Sequence, residues 1–212
     1  MIICSRITTH VDQPQKNNNI ILFTLHGEKQ ITYPNDSEYE TNTYIKWFFD
    51  ISKNNTFEFP LETHLTYPAL YYQITHDLHI DLNNSVCVSR TNVADKLETS
   101  LSKYGLNQNE MNNLIISIIN KLTKKYFVFQ IIGSYQTKHN MIHFNDVIYD
   151  NTCELRLTPY PDFVLRVIVM YSETNQYIKC NELQKLPFYY IPNNREKYWY
   201  VECGYSNTHD LE

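Results

Sequence analysis

Glycine is scarce in this chain of 212 residues: four occur, and they lie far apart. A loop that cradles a nucleotide phosphate needs several glycines close together, because its backbone N–H groups must converge on the anion. The sequence therefore excludes P-loop and dinucleotide-fold chemistry. The same scarcity excludes the G-x-S-x-G turn that presents a catalytic serine in many hydrolases.

Positive charge is also limited. The 18 Lys and Arg stand against 23 Asp and Glu, the formal charge is −5, and the longest basic run is Lys124-Lys125. Nucleic acids and anionic membranes are bound through concentrated positive charge, so we expect neither as a partner. No apolar run approaches the roughly 18 residues of a membrane span.

The five cysteines form no C-x-x-C pair and are odd in number, which argues against a disulfide framework and against a zinc knuckle. We therefore expect the protein to be located in a reducing, intracellular compartment. That compartment is the cytoplasm, and it includes the cytoplasm of an infected host cell. Cys87 and Cys203 lie in apolar strand-like runs, where a reactive thiolate lacks a cationic neighbour, so both favour a buried structural role over nucleophilic catalysis.

The chain is rich instead in aromatic and β-branched residues, with 18 Tyr and 10 Phe. Runs of these residues, broken by Pro, Asn, Asp and Ser, predict a single α+β domain over 1–212, with β-rich parts at 1–90 and 125–204 and a tail at 205–212. We expect mainly antiparallel, sandwich-like sheets. The predicted strands are 20–25, 29–33, 44–51, 65–74, 126–132, a looser pair around 143–149, 153–157, 163–171, and a terminal hairpin of 188–191 with 198–201.

The hydrophobic period changes to that of a helix between these parts, and predicts a helical hairpin at about 91–124. Apolar residues recur at i+4 from Val93, with Ser89 or Thr91 as N-cap, and Gly105 is placed to end the first helix in the left-handed region. Asn107 and Glu110 have the spacing of a capping box at the start of the second helix.

Histidines and aromatics offer two further candidate sites. His76 and His79, with His64 upstream, are spaced for a metal on a helix, but they follow a strand-like stretch where i and i+3 face opposite ways. We therefore expect loop histidines, no metal and no cofactor. Tyr and Trp are enriched at protein interfaces. The predicted terminal hairpin carries the candidate interaction residues Tyr189, Tyr198 and Trp199.

Acidic and basic residues near the C-terminal strands form the candidate ligand site. If Asp162 and Arg166 open one strand and Glu202 lies on its neighbour, the three side chains make an Asp/Arg/Glu cluster that can bind a polar ligand or orient an acid. The competing interpretation is a structural ion pair. No catalytic residue is assigned on this basis.

The order of several short motifs resembles a family of uncharacterised bacterial and fungal proteins, whose pattern runs GELTVTYP, YLFWE, LGLxxxExNDFIxYWLP, PxPDxxxRVFMV and VEWGG. The counterparts here are GEKQITYP at 27–34, ALYYQ at 69–73, YGL at 104–106 with Glu110 and 112–122, PYPD at 159–162 with RVIVM at 166–170, and VECG at 201–204. The resemblance implies a common fold and no particular reaction.

Departures from that pattern remove charge. Gln73 and Asn113 stand where the family has Glu and Asp, and Ile118 and Asn120 replace its Trp and Pro. The matching Asp162, Arg166 and Glu202, together with Tyr72, are the candidate ligand contacts. The composition, rich in Asn, Ile, Tyr and Lys, is similar to that of proteins from large AT-rich DNA viruses.

These observations favour a non-enzymatic binding or assembly protein with a protein partner. The alternative is a small hydrolase or polar-ligand-binding enzyme that uses Asp162, Glu202 and Arg166. Neither the binding-protein hypothesis nor the hydrolase alternative predicts an oligomeric state.

Overall fold

The computed structural model describes residues 3–12, 20–26, 29–33, 39–40, 44–51, 57–58, 66–67, 69–76, 79–137, 139–144, 155–158, 160–180, 195 and 197–208. Within these ranges the chain forms β-strands and two α-helices, so its class is α+β, as predicted. In the described part, neither helix has the length and apolar character that crossing a membrane requires.

The strands and helices follow one another in a β-rich, helical, β-rich order. The early strands are β1 (Ile3–Asp12), β2 (Ile20–His26), β3 (Lys29–Tyr33), β4 (Tyr39–Glu40), β5 (Tyr44–Ile51), β6 (Phe57–Glu58), β7 (Thr66–Tyr67), β8 (Leu70–His76) and β9 (Val86–Ser89). The helices are α1 (Val93–Leu101) and α2 (Gln108–Ile119). The later strands are β10 (Tyr126–Thr137), β11 (Met141–Phe144), β12 (Leu155–Thr158), β13 (Phe163–Thr174) and β14 (Trp199–Asn207).

The strands pair into two sheets. The larger has the order β11-β10-β13-β14-β1-β8-β3, with β9 also paired to β10, and the smaller has the order β12-β2-β5-β6-β7, with β4 paired to β5. The described pairs are antiparallel except β13 with β14, which is parallel. The larger sheet is therefore mixed.

The predicted terminal hairpin is wrong in its pairing. Residues 199–201 are flanked by β13 on one edge and by β1 on the other. Because a strand has two edges, β14 has no edge left for 188–191 at these positions. Those residues, including Tyr189, lie outside the described part of the chain.

The other predicted strands agree with the structure to different degrees. The bounds of β3 and β5 are those predicted, whereas the predicted strand 65–74 is divided into β7 and β8. β1 was not predicted, because polar residues such as Arg6, Thr8 and His10 interrupt its apolar pattern. It nevertheless lies inside the larger sheet, between β14 and β8.

The two helices occupy the predicted region. Gly105 has φ 76° and ψ 13°, the left-handed conformation expected after α1. The capping box of α2 is confirmed: Asn107 Oδ1 accepts from the Glu110 N–H at 2.9 Å, and Glu110 Oε2 accepts from the Asn107 N–H at 2.8 Å. The helices contact each other, while their antiparallel arrangement as a hairpin stays a prediction.

The N-cap of α1 differs from the prediction. It is Asn92, because residues 90–92 form a 3-10 turn that delays the start of the helix. The predicted caps, Ser89 and Thr91, instead share a hydrogen bond of 2.9 Å between their hydroxyl groups.

The main hydrophobic core lies between the helices and one face of the larger sheet. Its helical members include Val93, Leu97, Leu101 and Ile118, none of which is exposed. The opposite face of the same strands is also buried. Its members include Val128, Ile132, Ile168, Met170 and Tyr200. The centre of the sheet is thus covered on both faces.

A close backbone approach joins β10 to β13 at Gly133. This residue has φ 135°, and a Cβ added to it would overlap the carbonyl oxygen of Arg166. Only glycine adopts this φ and leaves room for the neighbouring strand. Gly133 therefore sets the distance between two central strands beside Arg166.

Replacing Gly133 with alanine is expected to lower the free energy of unfolding by more than about 3 kcal/mol, since strain and backbone overlap act together. Gly105→Ala is the matched control, because it adds the same methyl group at a left-handed position and should cost about 1 to 2 kcal/mol. Urea denaturation of both variants measures the difference. Equal losses would contradict the role assigned to the close approach.

Candidate functional site

Arg166 and Glu202 are brought together by the parallel pairing of β13 with β14, which places them directly opposite each other. Arg166 Nε donates to Glu202 Oε2. The Tyr200 hydroxyl donates to the other carboxylate oxygen, Oε1, at 2.6 Å. The Glu202 side chain is 0% exposed and that of Arg166 is 12% exposed. Both oxygens of Glu202 are therefore engaged inside the protein.

Asp162 precedes β13 and is held through its backbone. Its N–H donates to the Tyr198 carbonyl at 2.9 Å. Arg166 lies four positions further along the chain, a distance of roughly 13 Å in an extended strand. The described contacts thus join Arg166 to Glu202 but fix Asp162 at the entrance to β13.

Tyr72, the fourth candidate ligand residue, lies on β8 opposite Ile7 of β1. Ile7 is in turn opposite Gly204 of β14. Tyr72 is therefore two strands from β14, roughly 10 Å across the sheet. The register places it on the same sheet as Glu202.

Tyr198 and Trp199 are buried, so the expectation that they form an exposed interaction surface is wrong. Tyr198 is 2% exposed and Trp199 is 1% exposed. The Trp199 ring stacks on Phe163, with centroids 4.6 Å apart, and on Tyr135 at 5.9 Å. A strand with one open face would present half of its side chains to solvent, but β14 is a central strand that is covered on both faces.

Cys203 is buried, as predicted, and is 3% exposed on the helix-facing side of β14. Burial raises the pKa of its thiol, and the nearby Glu110 carboxylate raises that pKa further. A thiol in this state is protonated at neutral pH and is a poor nucleophile. Cys87, on β9, is half-buried.

A second ion pair, between Glu110 and Arg195, was not predicted. Arg195 Nη1 donates to Glu110 Oε1 at 2.5 Å, and Nη2 donates to Oε2 at 2.6 Å. Nη2 also donates to the Gly105 carbonyl at 3.0 Å. The side chains are 6% and 3% exposed for Arg195 and Glu110. This bidentate pair ties the junction of the helices to the segment before β14.

Glu173, near the end of β13, is a third buried carboxylate and is 5% exposed. Its Oε2 accepts from the backbone N–H groups of Thr123 and Lys124, each at 2.7 Å, and from the Thr123 hydroxyl at 3.0 Å. These contacts hold Thr123 and Lys124, which connect α2 to β10, against the end of β13 in the larger sheet. Sequence spacing contained no sign of this contact, since the partners are 49 and 50 residues apart.

Of the candidate metal histidines, His76 and His79 belong to the described residues and His64 lies outside them. His76 ends β8 opposite Ile3, and His79 is exposed after that strand. Among the residues that the structure describes, no three or more His, Cys, Asp or Glu side chains are placed to hold a metal ion.

Comparison of the chain with protein-family models, curated proteins and solved structures finds no match. The resemblance to the bacterial and fungal family stays an expectation.

The Glu202→Gln variant is expected to lose on the order of 3 kcal/mol of stability, because it leaves the largely buried Arg166 without its countercharge. Glu98→Gln makes the same change on an exposed position of α1 and should shift stability by less than about 0.5 kcal/mol. Thermal and urea unfolding compare the two. An unchanged melting temperature for Glu202→Gln would instead point to a carboxylate that serves a ligand or a reaction.

A double-mutant cycle tests the Glu110–Arg195 pair. Arg195→Met is expected to cost about 3 to 5 kcal/mol, since it leaves a buried carboxylate unpaired. Adding Glu110→Gln should recover part of that loss, giving a coupling energy on the order of 1 to 3 kcal/mol. Additive losses, measured by urea denaturation, would contradict a direct pair.

Proposed function

We propose that this protein is a non-enzymatic binding or assembly protein that captures a protein partner. The proposal rests on the burial and the hydrogen bonds of Glu202, the acidic residue that the hydrolase alternative would use. Glu202 is fully buried, and its two oxygens accept from Arg166 and Tyr200. A general acid or base must reach the proton that it transfers. The described contacts of Glu202 favour a structural role over the hydrolase alternative.

The proposed contact surface lies at one end of the larger sheet. Met141 is 51% exposed and Tyr160 is 49% exposed. Met141 starts β11 opposite Gln136 of β10, and Gln136 is opposite Val164 of β13. Tyr160 lies shortly before β13, so both residues lie at the same end of the larger sheet, on or just before strands that flank β10. We call Met141, Tyr160 and the exposed Lys197 the strand-end patch.

Chemistry at the strand-end patch suits a protein partner. Lys197 precedes β14 at this end of the sheet, and its Nζ lies 5.8 Å from the centroid of the Phe163 ring. Met and aromatic residues are enriched in protein interfaces, and Tyr is a frequent hot-spot residue. The patch is a different surface from the predicted one, whose Tyr198 and Trp199 lie in the core.

Burial on both faces of the larger sheet supports a finer proposal on the fold. The helices cover one face of β10, β13 and β14, and the opposite face is also buried. We propose that the smaller sheet packs there, which makes the β structure sandwich-like.

We also propose a reducing intracellular compartment for the protein. Cys87, Cys180 and Cys203 are free thiols, the state that such a compartment maintains.

Two matched double variants test the contact surface. Met141→Asp with Tyr160→Ser is expected to reduce partner capture at least tenfold, since hot-spot truncation costs more than about 1 kcal/mol per residue. The control is Ile116→Asp with Tyr177→Ser, which makes the same changes at residues 52% and 63% exposed. Capture is measured by crosslinking the tagged protein in cell extract and quantifying its adducts by mass spectrometry.

Both variants should keep the melting temperature of the parent protein, because all four changes are at exposed positions. Equal capture by the two variants would exclude the strand-end patch as the contact surface. Sedimentation of the purified protein separates self-assembly from a different partner, since only self-assembly persists without extract.

A further inference from the structure

Cys87 occupies an accessible position at the edge of the larger sheet. It lies on β9 opposite Val128 of β10, and its thiol is free and half-buried. Its neighbour Val88 packs against the core beneath the helices. Successive side chains of a strand point to opposite faces. Cys87 therefore faces away from that core, where chain leaving the sheet can approach it.

The segment that follows β13 contacts the start of β10. The Gln176 N–H donates to Thr174 Oγ1 at 3.1 Å, which bends the chain after the strand. The Tyr177 ring then meets the Tyr126 ring edge-on, with centroids 5.9 Å apart. Tyr126 begins β10, between Thr174 of β13 and Ser89 of β9. The Tyr177 side chain therefore lies over a residue of β10 that pairs with β9.

Cys180 lies three residues beyond Tyr177, a length of chain that spans roughly 10 Å when extended. One further strand spacing, roughly 5 Å, separates β10 from β9. The Cys180 thiol is also free and half-buried. Burial raises its pKa, and the nearby Cys87 raises that pKa further. Each thiol is therefore within electrostatic reach of the other.

We propose that Cys87 and Cys180 form a reversible disulfide when the protein meets an oxidant such as hydrogen peroxide or a small disulfide. With peroxide, one thiol is oxidised to a sulfenic acid while the peroxide is reduced to one water. The sulfur of the second thiol displaces the hydroxyl group, which leaves as a second water with the proton of that thiol, and the S–S bond forms. With a small disulfide, exchange passes through a mixed disulfide and releases two reduced small thiols.

The disulfide would join β9 to residues 175–180 and close a long loop of the chain. Long closed loops reduce the freedom of the unfolded chain most, which stabilises the folded protein. The bond would also hold Tyr177 over Tyr126. In a reducing compartment such a pair is open at rest and closes during oxidative stress.

Peptide mapping tests the disulfide directly in the full-length protein. The protein is treated with hydrogen peroxide or with oxidised glutathione, remaining thiols are blocked with iodoacetamide, and the digest is analysed by mass spectrometry. We expect one dominant crosslinked peptide pair that contains Cys87 and Cys180 and disappears after reduction. Cys203 should stay unmodified in the folded protein, because it is buried.

Stability gives a second readout. Oxidation should raise the melting temperature of the parent protein by several degrees, and reduction should reverse the rise. Cys180→Ser should abolish both the crosslinked peptide and the rise, whereas Cys153→Ser should keep both. Separate glutathione adducts on Cys87 and Cys180, or a preferred crosslink to another cysteine, would overturn the proposal.

Discussion

Burial of carboxylates is the constraint on which the described structure depends. Glu202, Glu110 and Glu173 are all removed from water, and an isolated buried carboxylate is strongly unfavourable. Each is compensated by at least one donor from a distant part of the chain: Arg166 for Glu202, Arg195 for Glu110, and two backbone N–H groups for Glu173. The hydrophobic core can form only when these donors contact their carboxylates. The three contacts therefore favour the one arrangement of strands and helices in which all of them are made.

The sequence predicted the structural features that are set by residues close together in the chain. The capping box at Asn107 and Glu110 spans three positions, and the left-handed Gly105 follows from the end of one helical pattern, so both could be seen locally. The pairing of Arg166 with Glu202 was foreseen as one of two interpretations, since both lie on predicted strands. Whether they met depended on a register between strands that no local pattern contains.

The unpredicted features are those set by tertiary position. Arg195 joins Glu110 across 85 residues, and its surroundings resemble an ordinary polar turn. Trp199 was expected at the surface because Tyr and Trp are enriched at protein interfaces, but exposure is decided by what covers each face of the strand. β14 is central and covered on both sides, so side chains on both of its faces are buried. The candidate contact surface accordingly moves from β14 to the strand-end patch.

The place of β14 also bears on how the chain is made. On the ribosome, β1 emerges early and can pair with β8, but its other edge has no partner until β14 has been synthesised. The edge of β13 that pairs with β14 is also open, for a shorter time, because β13 is made much later than β1. At ordinary translation rates the wait for β1 is on the order of ten seconds or more. Nascent chains therefore carry open strand edges for that time, and these are the surfaces on which chaperone binding or misassembly would act.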